Sequence, residues 1–128
     1  MLRGLHFQSY KGQDKLLECI QGLVWAVVVD VDKNSKTFGK WIEVDIHGGH
    51  AIYVPHRCAF GALTIEDSVV VCMCGEKYNP QYSSGIKWND PYLNIKWPIT
   101  NFEDLIISEK NQQLQSFIDY RDGEMMFV

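Results

Sequence analysis

The sequence predicts an all-β domain with a short helix near its C-terminal end. Several short segments carry apolar residues at the period of two that is typical of strands, and turn-forming residues separate them at regular intervals. One segment, residues 112–120, instead has Leu114, Phe117 and Ile118 at helical spacing. Many short strands at regular spacing are typical of a sandwich or barrel. With 128 residues, the chain is expected to form one domain, residues 1–128.

The first predicted strands span residues 15–20 and residues 23–32, with Gly22 between them. The second of these strands is apolar on both faces. One face carries Trp25, Val27, Val29 and Val31, and the other carries Val24, Ala26 and Val28. A strand of this kind is expected to lie between two layers of structure.

Four further strands are predicted downstream, at residues 38–46, 51–55, 58–65 and 68–74. Turn-forming residues at 32–35 precede the first of them. The two glycines within residues 47–50 permit the positive φ of a tight turn before the second. Residues 69–74 are again apolar on both faces, and a loop rich in Asn, Pro, Ser and Gly follows Tyr78.

Composition narrows the classes of function. The net charge of −4 and the pI near 5.5 argue against a basic nucleic-acid-binding face, so no nucleic-acid partner is expected. No apolar run approaches the ~20 residues of a membrane span, and charge and glycine interrupt the N-terminus where a secretory signal would be apolar. The four cysteines fit no zinc-ribbon spacing, which favours reduced thiols in a cytoplasmic protein.

The first eight residues hold the most specific motif, with Arg3, Gly4, His6 and Gln8 at its centre. Further matching segments follow in order at residues 37–41, 53–55 and 85–91. Together they resemble the dTDP-4-dehydrorhamnose 3,5-epimerase family. The resemblance implies a cupin-like jelly roll, or double-stranded β-helix, usually in a homodimer and without a metal or organic cofactor.

The resemblance also implies a chemistry. Family members move protons next to the C4 ketone of a dTDP-linked 4-keto-6-deoxy sugar, with an enolate between removal of one proton and return of another. By position, His6 resembles the catalytic base and Lys15 the group that stabilises the enolate oxygen. Arg3 resembles the residue that binds the diphosphate, and Gln8 of the same motif is assigned with it to substrate binding.

Tyr53 and Tyr78 are assigned to substrate binding for a different reason. Aromatic side chains near a nucleotide pocket commonly stack on the base, and both tyrosines lie close to family segments. Packing in the core or at the rim of the pocket explains them equally well, so both interpretations stay open.

Several positions depart from the family pattern. The second active-site histidine is replaced by Phe60, the acid tyrosine aligns with Met73, and the aspartate that orients the catalytic histidine aligns with Asn111. An inward aspartate of an early strand is replaced by Ala26. Because methionine has no proton to donate, the returned proton is expected from water or another residue, which favours epimerisation at one carbon rather than two.

Two other sets of side chains are candidates for chemistry. His56 and Cys58 lie near the altered Phe60 position and are possible replacement acids, although a turn histidine and a packed thiol explain them more simply. A metal site at His47, His50 and His56 is not adopted, because no carboxylate stands at a ligand spacing.

The leading functional hypothesis is therefore an epimerase of a dTDP-linked 4-keto-6-deoxy sugar. The alternative is a catalytically impaired family member that binds a sugar nucleotide or a partner protein. Measured against the family pattern, the chain is expected to be N-terminally short. A truncated gene and a start codon assigned too late both explain that, and a non-functional truncated product remains a third possibility.

Overall fold

The computed structural model describes residues 1–127 and confirms the all-β prediction. The strands are β1 (Leu2–Gln8), β2 (Lys15–Gln21), β3 (Leu23–Asp30), β4 (Trp41–His47), β5 (His50–Val54), β6 (Cys58–Thr64), β7 (Val69–Cys74) and β8 (Ser83–Gly85). They form a five-stranded sheet in the order β4-β3-β6-β1-β8 and a three-stranded sheet in the order β5-β2-β7. Neighbouring strands pair antiparallel in both sheets.

Strand β3 lies between two layers, as its apolar pattern predicts. On one side, Trp25, Val27 and Val29 pack in a core that the C-terminal residues Phe117 and Tyr120 complete. On the other side, β3 packs against the three-stranded sheet in a second core that contains Leu17, Cys19, Val24, Ala26 and Ile46. Each fully buried aliphatic side chain of this kind contributes roughly 1.5–3 kcal/mol. The five-stranded sheet is therefore the middle layer of the molecule.

The strand predicted over residues 38–46 begins at Trp41 instead. The residues before it form turns, in which the N–H of Phe38 donates to the carbonyl of Ser35 and the N–H of Gly39 donates to the carbonyl of Asp30. Gly39 has a φ of +83°, which an extended strand does not allow. The apolar side chain of Phe38 packs against the Phe117 ring, with 5.1 Å between ring centroids, rather than continuing a strand.

The helix predicted over residues 112–120 is in fact two short helices, α1 (Glu109–Gln112) and α2 (Phe117–Asp122). Ser116 has extended backbone angles, and its hydroxyl accepts from the N–H of Asp119 as the N-cap of α2. A continuous helix cannot pass through this residue, which is why the prediction was wrong in its extent. No helix within residues 1–127 is both long and apolar enough to cross a membrane.

Strand β7 differs from β3, although both are apolar on both faces. All six residues of β7 are exposed, because it lies at the edge of the three-stranded sheet. One face of β7 turns towards the five-stranded sheet, and the other turns outwards beside Leu16 and Tyr53, which are also exposed. An apolar pattern on both faces therefore indicates burial for β3 but not for β7 within this chain.

Candidate active site

A cleft of about 460 Å³ opens between the two sheets. The five-stranded sheet contributes Arg3, His6, Val24, Phe60, Ala62 and Thr64 to its lining. The three-stranded sheet forms the opposite wall with Lys15, Leu17, Val70 and Cys72. An adjoining cavity of about 390 Å³ shares Arg3 and His6 and is also lined by Ser108, Lys110 and Asn111. The two openings meet at Arg3 and His6.

The irregular course of β1 brings Arg3 and His6 to the same cleft. Side chains three residues apart point to opposite faces of a regular strand, but the pairing of β1 with β6 shifts register between these two residues. Gly4 lies at the shift with a φ of +117°, and a Cβ there would lie 2.6 Å from Cα of Gly61. Only glycine fits this close approach.

The imidazole of His6 is held by Asn111. Oδ1 of Asn111 lies 2.5 Å from Nε2 of His6. Nδ2 of Asn111 donates to Oγ of Ser108 at 2.8 Å, and Ser108 also caps α1 by accepting from the backbone N–H of Asn111. Ser108 and the start of α1 thus orient the amide, and the amide orients the ring. Asn111 is where the alignment to the family pattern predicted the partner of His6.

The surroundings of His6 favour a neutral imidazole. Burial lowers the pKa of His6 below its ordinary value of 6.5, and the hydrogen bond to Asn111 opposes that effect. The positive charges of Lys15 and Lys110 lower the pKa further. A histidine that is neutral near pH 7 can accept a proton, as a general base must.

Three cations surround this imidazole. Arg3 lies in both openings, Lys15 lies on the opposite wall of the cleft, and Lys110 lies in the adjoining cavity. The site therefore attracts an anionic group although the whole chain has a net charge of −4. Lys110 was not predicted from the sequence as a site residue. Its position next to Asn111 in the chain is the feature that could have indicated it.

Gln8 lies outside both openings. Its side chain is 3% exposed, and all of its polar atoms contact the backbone. Nε2 donates to the carbonyls of Lys11 and Lys77, and Oε1 accepts from the N–H of Asn79. Gln8 therefore ties two loops together, and the structure does not bring it to His6.

The two predicted tyrosines lie in different places. Tyr53 is 62% exposed on the outward face of β5, and its hydroxyl hydrogen bonds to Asp14, which raises the pKa of Tyr53. Tyr78 lies near the adjoining cavity, where Nζ of Lys110 donates to its hydroxyl at 3.3 Å and lowers its pKa. Only Tyr78 is therefore near the cations of the site.

The replaced positions can also be located. Phe60 lies opposite His6 across the β1–β6 pair and lines the cleft. Met73 pairs with Leu16 and is 51% exposed on the outward face, whereas Cys72 pairs with Leu17 and lines the cleft. Cys72, one residue before the position that the sequence alignment indicated, is therefore the side chain of this pair that β7 presents to the site.

His56 and Cys58 do not line the cleft. Nδ1 of His56 lies 3.1 Å from Oδ1 of Asp14, and burial raises the pKa of the Cys58 thiol to about 11. His47 and His50 face one another across the β4–β5 turn, with 6.0 Å between ring centroids. In the part of the chain that the structure describes, no three His, Cys, Asp or Glu side chains group as metal ligands.

The chain is similar to a known protein family and to several of its members. A family model described as dTDP-4-dehydrorhamnose 3,5-epimerase matches residues 1–119. The dTDP-4-dehydrorhamnose 3,5-epimerase of Methanothermobacter thermautotrophicus is similar, with 44% identity over 115 residues. The match covers 88% of this chain but 62% of that protein, so the chain spans about three fifths of the relative's length.

Two solved structures are also similar. The dTDP-6-deoxy-D-glucose-3,5-epimerase of Legionella pneumophila, in complex with dTDP-4-keto-L-rhamnose, has a TM-score of 0.84 and 32% identity over 90% of this chain and 62% of that one. A 3'-monoepimerase of Streptomyces bikiniensis, in complex with dTDP-quinovose, has a TM-score of 0.82 and 29% identity over 90% and 59%. The cupin-like jelly roll expected from the sequence is thereby confirmed.

Proposed function

Since the chain belongs to the dTDP-4-dehydrorhamnose 3,5-epimerase family, we propose that it epimerises a dTDP-linked 4-keto-6-deoxy sugar. The observation that carries this proposal is the cleft in which a neutral His6 faces Lys15 across the gap between the sheets, with Arg3 at the opening. The relatives named above act on or bind dTDP-sugars, which supports this substrate class. Residues 1–128 act as one domain in this proposal.

The first step is removal of a proton. A C4 ketone acidifies the hydrogens on the neighbouring carbons, and the neutral imidazole of His6 takes one of them. The electron pair moves onto the ketone oxygen, and the ammonium of Lys15 stabilises the resulting enolate. A fixed cation beside a developing oxyanion is worth about 3 kcal/mol in comparable sites. The first step uses no metal or organic cofactor.

The diphosphate of the nucleotide is assigned to the mouth of the cleft. Arg3 lines both openings, and its planar guanidinium suits two phosphate oxygens at once. Lys110 adds a second positive charge in the adjoining cavity, and its contact with the Tyr78 hydroxyl supports assigning Tyr78 to the nucleotide as well. Gln8 and Tyr53 are left out of the proposed contacts, since their polar atoms already bond within the protein.

We propose reaction at one carbon rather than two. Phe60 provides no proton or hydrogen-bond donor where the family has a second histidine, so fewer polar groups surround the sugar. The similarity to a 3'-monoepimerase is compatible with this narrower reaction.

The test is proton NMR of dTDP-4-keto-6-deoxyglucose in D₂O with the purified protein. Loss of the signal at C3 or C5, together with appearance of the inverted sugar, is expected for the wild-type protein. The His6→Asn variant should show neither hydrogen exchange nor the inverted sugar. The matched His50→Asn variant, changed at an exposed turn, should show both as the wild-type protein does. A wild-type protein that leaves both hydrogens in place would contradict the proposal.

The second candidate function is binding without catalysis. The uncharged Asn111 beside His6, in place of the family's aspartate, favours it, because an amide stabilises an imidazolium less than a carboxylate does. Saturation-transfer NMR with the same sugar distinguishes the two functions. Transfer of saturation without hydrogen exchange would support binding alone.

A homodimer is part of the proposal. The outward face of the three-stranded sheet exposes the apolar side chains Leu16, Ile20, Tyr53, Val71 and Met73 around a single carboxylate, Glu18. A face of this kind is more typical of an interface than of a surface in water.

We assign the cytoplasm as the compartment, since all four cysteines are free thiols.

A further inference from the structure

Cys72 lies on the wall of the cleft that faces His6. It belongs to β7 and pairs with Leu17 of β2, so that its side chain shares a face with Leu17 and lines the cleft. His6 projects from β1 of the other sheet into the same space. The imidazole and the thiol therefore lie on opposite walls of the cleft.

The other proton-bearing groups of the cleft are less suited to donate. Thr64 already hydrogen bonds to the N-terminal amine and carbonyl of Met1. The hydroxyl of Ser68 donates to the carbonyl of Glu66 at 2.7 Å and accepts from the N–H of Leu23. The guanidinium of Arg3 lies at the mouth of the cleft, where the proposed function assigns it to the diphosphate. Lys15 and Cys72 remain on the wall opposite His6.

The surroundings of Cys72 favour its protonated thiol form. Partial burial of the sulfur raises the pKa of Cys72, and the neighbouring thiol of Cys74 raises it further. The thiol is therefore the resting form near pH 7. The positive charge of Lys15 acts in the opposite direction, so the thiolate left after donation has a stabilising cation nearby.

We infer that the thiol of Cys72 is the acid that returns the proton to the sugar on the face opposite His6, which completes inversion. This inference rests on the proposed function. His6 first breaks a C–H bond and keeps the proton, and its electron pair is held as the enolate. That pair then forms a new C–H bond with the proton from Sγ, which leaves an imidazolium and a thiolate. Water takes the proton from His6 and returns one to Cys72, so nothing is oxidised or consumed.

The experiment separates proton removal from inversion. The full chain and its Cys72→Ala variant are incubated with dTDP-4-keto-6-deoxyglucose in D₂O, and exchange and configuration are followed at the same carbon. The variant should still exchange hydrogen for deuterium through His6 with retained configuration, while inversion falls by about 10²-fold. Cys72→Tyr, which supplies a phenol, should restore inversion.

Controls make the outcomes distinguishable. Cys58→Ala removes a thiol of the same protein outside the cleft and should leave inversion unchanged. Cys72 is exposed, so its replacement should leave the melting temperature unchanged, and Cys72→Ser provides a second variant of nearly equal size. Undiminished inversion in Cys72→Ala would overturn the inference alone and identify Lys15 or water as the donor. Absence of both exchange and inversion in the wild-type protein would overturn the proposed function and this inference with it.

Discussion

Nε2 of His6 lies 2.5 Å from Oδ1 of Asn111, a residue 105 positions away in the chain. The contact joins the opening strand to the start of α1. The hydroxyl oxygen of Ser108 accepts a hydrogen bond from Nδ2 of the same amide and holds it in place. An amide in this position orients the ring but brings no negative charge to it. The strength of His6 as a base therefore depends first on its burial, and then on this uncharged neighbour, two nearby lysines and the backbone of Ser84.

Asn111→Asp should increase the activity. A carboxylate of nearly the same size would keep the contact with His6 and stabilise the imidazolium, so the pKa of His6 should rise and proton removal should be about 10-fold faster or more. The pH profile of hydrogen exchange measures both effects, since its acidic limb should move to higher pH. Asn89→Asp, an asparagine outside the cleft, is the control. An unchanged profile in Asn111→Asp would show that the contact does not tune the base.

The protein should lose stability as the pH falls below about 6.5. The pKa of His6 is lower in the folded protein than its ordinary value of 6.5, so the unfolded chain binds this proton more readily. The stability that the neutral His6 ring contributes is fully present above the pKa that His6 has in the unfolded chain. It is lost as the pH falls through the lower pKa that His6 has in the folded protein. Urea unfolding at pH values from about 7.5 to about 5 is the measurement, because this range spans the ordinary pKa of a histidine.

The matched variant for this prediction is His6→Asn. Its free energy of unfolding should depend less steeply on pH over the same range, because the titrating group is absent. His50→Asn, which removes an exposed histidine, should keep the wild-type slope. Parallel curves for the wild-type protein and His6→Asn would count against a lowered pKa of His6.

Lys15→Met should reduce the turnover number much more than the affinity. The methionine keeps most of the side-chain volume but removes the charge that stabilises the enolate, at an expected loss of about 10²–10³-fold in kcat. Steady-state kinetics with the 4-keto sugar provide the values, and Lys36→Met in an exposed turn is the control. A rise in KM with an unchanged kcat would instead assign Lys15 to substrate binding.

Val71→Glu should convert a dimer into a monomer. Val71 lies on the outward face of the three-stranded sheet and pairs with Glu18, so a second carboxylate there would both hydrate the face and repel its neighbour. Sedimentation velocity measures the mass. Ile42→Glu, at an exposed position of the other sheet, should leave the mass unchanged. A wild-type protein that sediments as a monomer would remove this interface from the proposal.

Local pattern was sufficient for most strands, and three of the predicted site residues, Arg3, His6 and Lys15, line one cleft. The period-two pattern of β3 predicted its two buried faces, because each face of that strand meets its own layer. The opening motif and its spacing to Lys15 predicted two residues that the structure brings to one cleft. The same motif was less informative for Gln8, whose role in joining two loops depends on residues 77 and 79 much further along the chain.

The sequence did not correctly predict which residue of β7 faces the cleft. Residues 72 and 73 are adjacent and both lie in an apolar run, so periodicity offered no ground for choosing which one faces inward, and the family alignment indicated Met73. A shift of one residue turns a strand's side chains to the opposite face, and only the pairing of Cys72 with Leu17 decided that Cys72 faces the cleft. Nor did the pattern indicate that β7 would be an exposed edge strand.

The sequence by itself determined an all-β chain, the two-sided burial of β3, and a motif with His6 and Lys15 as the candidate base and cation. These features depend on neighbouring residues and on short spacings, which a chain carries before it folds. The tertiary structure alone decided that Lys110 lies near His6, that Cys72 rather than Met73 faces it, and that Gln8 does not. Those outcomes depend on strand register and on contacts between distant segments, which exist only after the two sheets and the C-terminal segment pack together.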